Sequence, residues 1–122
     1  LSIDIDGNDY WVWKAINNYK PRVVVIEYNA FLGPEIKWVM RYNPHHVWDG
    51  SSYWGASLKS LEILGQEKKY TLVGCDFSGA NAFFVREELV TNEFVGPFTA
   101  ESHHEPPRYG RYRTHFGPFD RV

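Results

Sequence analysis

The chain has 122 residues, with 43% hydrophobic and 23% charged residues and a formal net charge of −2. That length fits one domain with a sizeable core. The near-neutral charge supplies no basic field for nucleic acid, and no run of 18 apolar residues exists to span a membrane.

The first segment, Leu1-Ser-Ile-Asp-Ile-Asp-Gly7, alternates Ile3 and Ile5 with Asp4 and Asp6 and is broken by Gly7. It predicts a short strand with its acids on one side and its isoleucines on the other. One of the two acids is expected to be buried at the strand–helix junction. There is no initiator Met and no basic leader segment, so the chain is expected to be part of something larger. Asn8 or Asp9 can cap a helix over about 9–18, with Tyr10, Trp13 and Ile16 on its apolar face. Asp6 has the same capping option. Lys20-Pro21 ends that helix. Val23 to Ile26 is a continuous β-branched run, the pattern of a strand covered on both faces.

Residues 30–52 carry turn signals at Gly33-Pro34, Asn43-Pro44 and Asp49-Gly50, together with Phe31, Trp38, Tyr42 and Trp48. They predict either a lid that shapes a substrate pocket or a loop packing its aromatics over a sheet end. A helix is predicted over 53–68, capped by Ser51 or Ser52, with Leu58, Leu61, Ile63 and Leu64 inward. Strands follow over Tyr70–Cys75 and Asn81–Arg86, joined by the turn Asp76-Phe-Ser-Gly79 with Gly79 at positive φ. From about Val90 the sequence turns irregular, with four Pro, three Gly, and Arg108, Arg111, Arg113 and Arg121 among Tyr109, Tyr112 and Phe116. A tail wrapped over the domain or over a partner subunit is the simpler reading; interleaved Arg and aromatics can also bind RNA, but Glu101, Glu105 and Asp120 dilute the charge. The expected organisation is an α/β unit over 1–89, ordered β-α-β-loop-α-β-β, and a Pro/Arg/aromatic tail over 90–122.

Strands of an open α/β sheet carry ligands at their carboxyl ends. Asp4, Asp6, Glu27 and Asn29 therefore form the expected site. Carboxylates and an amide oxygen are hard ligands suited to Mg²⁺, Ca²⁺ or Mn²⁺. Asp4, Asp6 and Glu27 are the candidate catalytic acids. Asp6, Glu27 and Asn29 are the candidate metal ligands. Asn29, Tyr28, Trp54 and Asn81 are the candidate substrate contacts. The doublets His45-His46 and His103-His104 match no zinc-ligand spacing and read as loop residues. His115 belongs with them. The lone Cys75 cannot form an internal disulfide, which fits a reducing, cytoplasmic setting, and it reads as core rather than nucleophile. No glycine-rich strand–loop–helix cradle for a nucleotide is present.

Ile3-Asp-Ile-Asp-Gly7, the run Ser2 to Trp11, and Gly74-Cys-Asp with Asn81-Ala-Phe-Phe-Val85 resemble FkbM-type, class I S-adenosylmethionine-dependent methyltransferases over roughly residues 1–89. The resemblance implies the C-terminal half of a three-layer Rossmann-like domain. Its strands would be numbers 4 to 7 of the family, in the mixed order 4-5-7-6. It implies O-methyl transfer to a small molecule or sugar, and Mg²⁺ at the acids as in catechol-type relatives. The half that binds S-adenosylmethionine lies outside this sequence, so no cofactor-binding residue is assigned and the chain alone is expected to be inactive. The alternative expectation is a small noncatalytic α/β module that forms a homodimer through the exposed edge of its first strand.

Overall fold

A computed structural model describes residues 1–110 and 117–122. Arg111, Tyr112, Arg113, His115 and Phe116, named above for the tail, lie outside the described residues. The elements in chain order are β1 (Ser2–Ile3), α1 (Asp9–Ala15), β2 (Val23–Glu27), β3 (Val39–Met40), α2 (Leu58–Glu67), β4 (Tyr70–Cys75) and β5 (Asn81–Arg86). A 3-10 turn (Glu87–Leu89), α3 (Ala100–His103) and β6 (Phe119–Asp120) complete it.

The result is an α/β fold on a mixed four-stranded sheet of order β1-β2-β5-β4. β1 runs parallel to β2, pairing Ser2 with Val25 and Ile3 with Ile26. β5 lies antiparallel between β2 and β4, pairing Val24 with Phe84 and Glu27 with Asn81. The hairpin strands match their predicted bounds. A bulge at Val73 shifts the β4 register between Leu72 and Gly74.

One face of the sheet carries the core. Ile3, Val24, Ile26, Leu72, Ala82 and Phe84 are buried on it, beneath Tyr10 and Trp13 of α1 and Leu58, Leu61 and Leu64 of α2. Trp13 packs on Phe84 with ring centroids 4.8 Å apart, and on Tyr70 at 5.8 Å. α2 reaches the same rings, because a Cβ on Gly65 would collide with Phe84 and touch Trp13. Both helices thus occupy one face, so the described residues make two layers, not the three expected. The physical reason is handedness. The steps β1 to β2 and β2 to β4 run in the same direction across the sheet, and right-handed crossovers moving one way stack their helices on one side.

The opposite face is the one the valine run was expected to bury. There Val23 is 44% exposed, and Val25 and Phe83 are only half-buried. The β-branched run therefore reports strand propensity rather than cover on both sides.

Three further expectations change. α1 stops at Ala15, before the weak helix formers Asn17 and Asn18. α2 starts later than expected, capped by Ser57, which accepts from Ser60 N, and not by Ser51 or Ser52. Residues 30–52 are no lid: β3 lies within them, and Leu32, Trp38 and Met40 form a second small core against Tyr53. β3 pairs antiparallel with β6, which draws the end of the chain back over the domain. The tail is accordingly part of the same body. Ala100 and Val122 join the main core, and the buried Glu62 accepts from Ala100 N at 2.8 Å while Lys59 bridges Glu62 and Glu101. Among the described residues no helix is long and apolar enough to cross a membrane.

Candidate metal centre

The parallel register that joins Ile3 to Ile26 makes Asp4 and Glu27 the next residues at the carboxyl ends of β1 and β2. Asp4, Asp6 and Glu27 each bring a carboxylate oxygen to one place, all within 4.8 Å of one another. Asp4 and Asp6 are exposed and Glu27 is half-buried. Asp6 sits in the left-handed region at φ 55°, a conformation that Asp tolerates better than most side chains.

The turn that carries Asp6 is fixed from three directions. Asp9, fully buried, accepts from Ile5 N and Gly7 N, one carboxylate oxygen to each, both at 3.0 Å. His46 Nε2 lies 3.1 Å from the Asp6 carbonyl, and its ring covers Gly7 so closely that any Cβ there would strike it. Asn8 clasps the backbone of Asn43 with both ends of its amide, at 2.7 and 3.2 Å, and Gly55 N donates to Gly7 O.

Two expectations are corrected here. The acid buried at the strand–helix junction is Asp9, and Asp4 and Asp6 are open to solvent. Neither Asp6 nor Asp9 caps α1: its N-cap is Asn8, whose side chain makes no cap bond. Asp9 instead ties the strand end to the helix start. Burial pushes its carboxyl up from the ordinary range, outweighing the N–H groups of Gly7 and Ile5 that hold it down.

Glu27 is the most perturbed acid of the group. Burial, then the charges of Asp4, Asp9 and Asp6 and a hydrogen bond with Asp4, push its carboxyl up to about 9. Its Oε2 is buried with no hydrogen-bond partner. Glu27 therefore keeps its proton at neutral pH unless a cation takes its place. Asn81 is directly opposite Glu27 in the β2–β5 ladder, so the register brings this candidate to the site. Its side-chain amide reaches Asp76 Oδ2 at 3.4 Å.

The remaining candidates are structural. Asn29, 1% exposed, donates to Ser52 O and Trp54 O at 2.8 and 2.9 Å and accepts from Phe31 N. Its amide pins the aromatic loop and is no ligand in the acid group. Tyr28 is fully buried, and its hydroxyl donates to Glu105 O and accepts from Glu105 N. Trp54 is 4% exposed, so it offers no surface to a substrate. Cys75 is a free thiol, pushed up to about 12 by burial, which fits the inert role expected. His104 Nε2 lies 3.0 Å from Leu32 O, and the His103 ring stacks on Phe98, with burial lowering its pKa.

At the opposite end of the sheet, Lys20, Lys68 and Lys69 line a groove of about 200 Å³. Lys68 already donates to Ile16 O and Asn17 Oδ1, so its charge serves the carboxyl end of α1.

Sequence reasoning found the three acids but missed Asp9 and His46. Asp9 was legible only as a helix-start acid. His46 is forty residues from Asp6 along the chain, with α1, β2 and β3 between, and nothing local links the two.

Three oxygen donors at this spacing can hold a hard divalent cation, or share a proton when none is bound. No protein-family model, no curated protein and no solved structure matches the chain.

Proposed function

We propose that this chain forms the second half of a class I, FkbM-like methyltransferase domain, with Asp4, Asp6 and Glu27 as its acid end. In this reading the three acids hold a divalent cation such as Mg²⁺ beside the oxygen of a small-molecule or sugar acceptor. One observation carries it: three carboxylates converge within 4.8 Å at the carboxyl ends of two parallel strands, and one of their oxygens is buried without a partner. Two features of the fold support it. The order β1-β2-β5-β4 is the order 4-5-7-6 of that family, and the sheet face away from α1 and α2 is only partly covered, with Val23 exposed and Val25 and Phe83 half-buried, which suits a fold whose first half supplies the other helical layer.

The donor set fits the ion, because all three ligands are hard oxygens and the orphaned Oε2 of Glu27 lacks any other counterpart. When bound, such an ion lowers the pKa of an acceptor hydroxyl and fixes its position. The chain's own residues do the rest. Asp9 and His46 set the turn, Asp4 and Asp6 project from it, and Glu27 holds a proton in the absence of the ion. S-adenosylmethionine has no such fit here, since the sequence contains no glycine-rich strand–loop–helix to cradle it. The single half-buried thiol is compatible with a cytoplasmic place of action.

Manganese titration followed by electron paramagnetic resonance tests the centre. One ion per chain is expected, lost in Asp6→Asn and Glu27→Gln; equal binding by those variants and the parent sinks the assignment.

A second reading draws on β1, which lies at the end of the sheet and, among the described residues, pairs on one side only. An open edge of this kind favours a noncatalytic module that self-associates. Sedimentation that shows only monomer at high concentration excludes it.

A further inference from the structure

We propose that residues 104–108 are a removable strap across the carboxyl end of the sheet, whose release uncovers Tyr28 and Cys75. Its use as a gate rests on the cation reading above; its existence as a separable segment does not.

The strap crosses the site end at named points. His104 reaches Leu32 O, Glu105 exchanges two hydrogen bonds with the Tyr28 hydroxyl, and Arg108 N donates to Ser78 O at 2.8 Å. The Arg108 guanidinium donates to Phe77 O, pairs with Glu105 at 2.6 Å and lies 3.9 Å above the Phe77 ring. Between these anchors the Pro106 carbonyl passes directly over Gly79, where a Cβ would fall on it. Gly79 also holds φ +76°, so the crossing depends on glycine twice over.

Two properties make this segment separable. None of residues 104–108 belongs to either core cluster, and every one is half-buried or exposed. Its fastenings to the domain are hydrogen bonds and the exposed contact of Arg108 with Phe77, while the Arg108–Glu105 ion pair lies within the strap itself. Segments with few buried apolar contacts open locally at a fraction of the global unfolding free energy.

Its position gives the opening a consequence. Tyr28 follows Glu27 directly, and the turn beneath the strap leads into Asn81, the ladder partner of Glu27. Cys75 is the end of β4 at that same edge, in hydrogen-bond reach of the Tyr28 hydroxyl and within the field of Glu105. Lifting the strap leaves the phenol and the thiol open to solvent on the sheet face opposite Glu27.

Cys75 is the single cysteine of the chain, so the rate of its reaction with a disulfide reagent reads strap opening in the intact protein. The parent is expected to react slowly. Arg108→Ala is expected to react about tenfold faster with an unchanged thermal midpoint, since only the local opening is eased. Rates within twofold of the parent in Arg108→Ala overturn the proposal, as does acceleration that merely follows a fallen midpoint. Hydrogen exchange provides a check free of substitutions. The Glu105 and Arg108 amides are expected to exchange well ahead of those in β5, and equal protection refutes the strap. Manganese that slows labelling supports the gate. Fast labelling of Arg108→Ala with no response to manganese leaves the strap standing and removes the gate where the resonance titration shows the ion bound; failure of that titration counts against the cation reading alone.

Discussion

Replacing Glu27 with Gln is expected to stabilise the protein at neutral pH. The acid titrates at about 9 in the folded chain against 4.5 when free. Between those values the folded state binds a proton that the unfolded state has released, so stability falls as pH rises through the window. The contribution is complete below about pH 4.5 and gone above about pH 9. Each pH unit climbed inside that window costs about 1.4 kcal/mol, so by pH 7 the ceiling on the loss is about 3 kcal/mol. Water at the half-buried site screens this to roughly half. Gln has the same shape and stays neutral throughout. Urea unfolding of parent and Glu27→Gln at pH 4, 7 and 9 measures the difference. The variant is expected to match the parent at pH 4, exceed it by about 1.5–3 kcal/mol at pH 7, and exceed it further at pH 9. Saturating Mg²⁺ is expected to stabilise the parent alone, by about 2.7 kcal/mol at a hundredfold excess over Kd, which offsets most of the difference at pH 7. A difference that does not vary with pH refutes the assignment of Glu27 as a carboxyl forced to keep its proton.

Other perturbations test the frame around the site. Asp9→Ala frees the Ile5 and Gly7 amides and is expected to cost about 1–3 kcal/mol in chemical denaturation, with loss of manganese binding, because the turn holding Asp6 loosens. Asn29→Ala orphans the Ser52 and Trp54 carbonyls; a similar loss is expected in thermal unfolding, with metal binding unchanged if Asn29 is no ligand. Gly65→Ala forces a methyl group against Phe84 and Trp13 and is expected to destabilise by about 1–3 kcal/mol, a readout of the α1–α2 contact over the sheet.

The hairpin was legible because its signals are local. Tyr70 to Cys75 and Asn81 to Arg86 are bounded by Asp76 and Gly79, and the Asp76 carboxylate closes the turn by accepting from Ala80 N, Asn81 N and the Ser78 hydroxyl. Burial of Asp76 raises its pKa, but those donors outweigh it and hold the group below its ordinary value. The acid group was legible because strand ends are marked by Gly7 and by the end of the valine run. What failed was non-local. β3 is two residues long and owes its existence to Phe119 and Asp120 at the far end of the chain, so its segment read as loop. Asn29 has the chemistry of a ligand, and only the carbonyls of Ser52 and Trp54 reveal that its amide is spent on the fold. The valine run gave a strand correctly but not its surroundings, since one β-branched pattern serves covered and bare faces alike.

The position of β1 bears on how the chain folds. α2, β4 and β5 are consecutive in sequence and pack on one another, so they can collapse early with short loops to close. β1 offers two residues to a single neighbour at the rim of the sheet. It is therefore expected to dock late and to fray before the interior strands. Asp4 and Asp6 ride on that rim, while Glu27 is anchored in the interior ladder. The acid group is thus expected to assemble late in folding. An ion bound across it ties the start of the chain to β2 and draws its binding free energy against fraying, so hydrogen exchange at Ile3 and Ile5 is where occupancy registers most strongly.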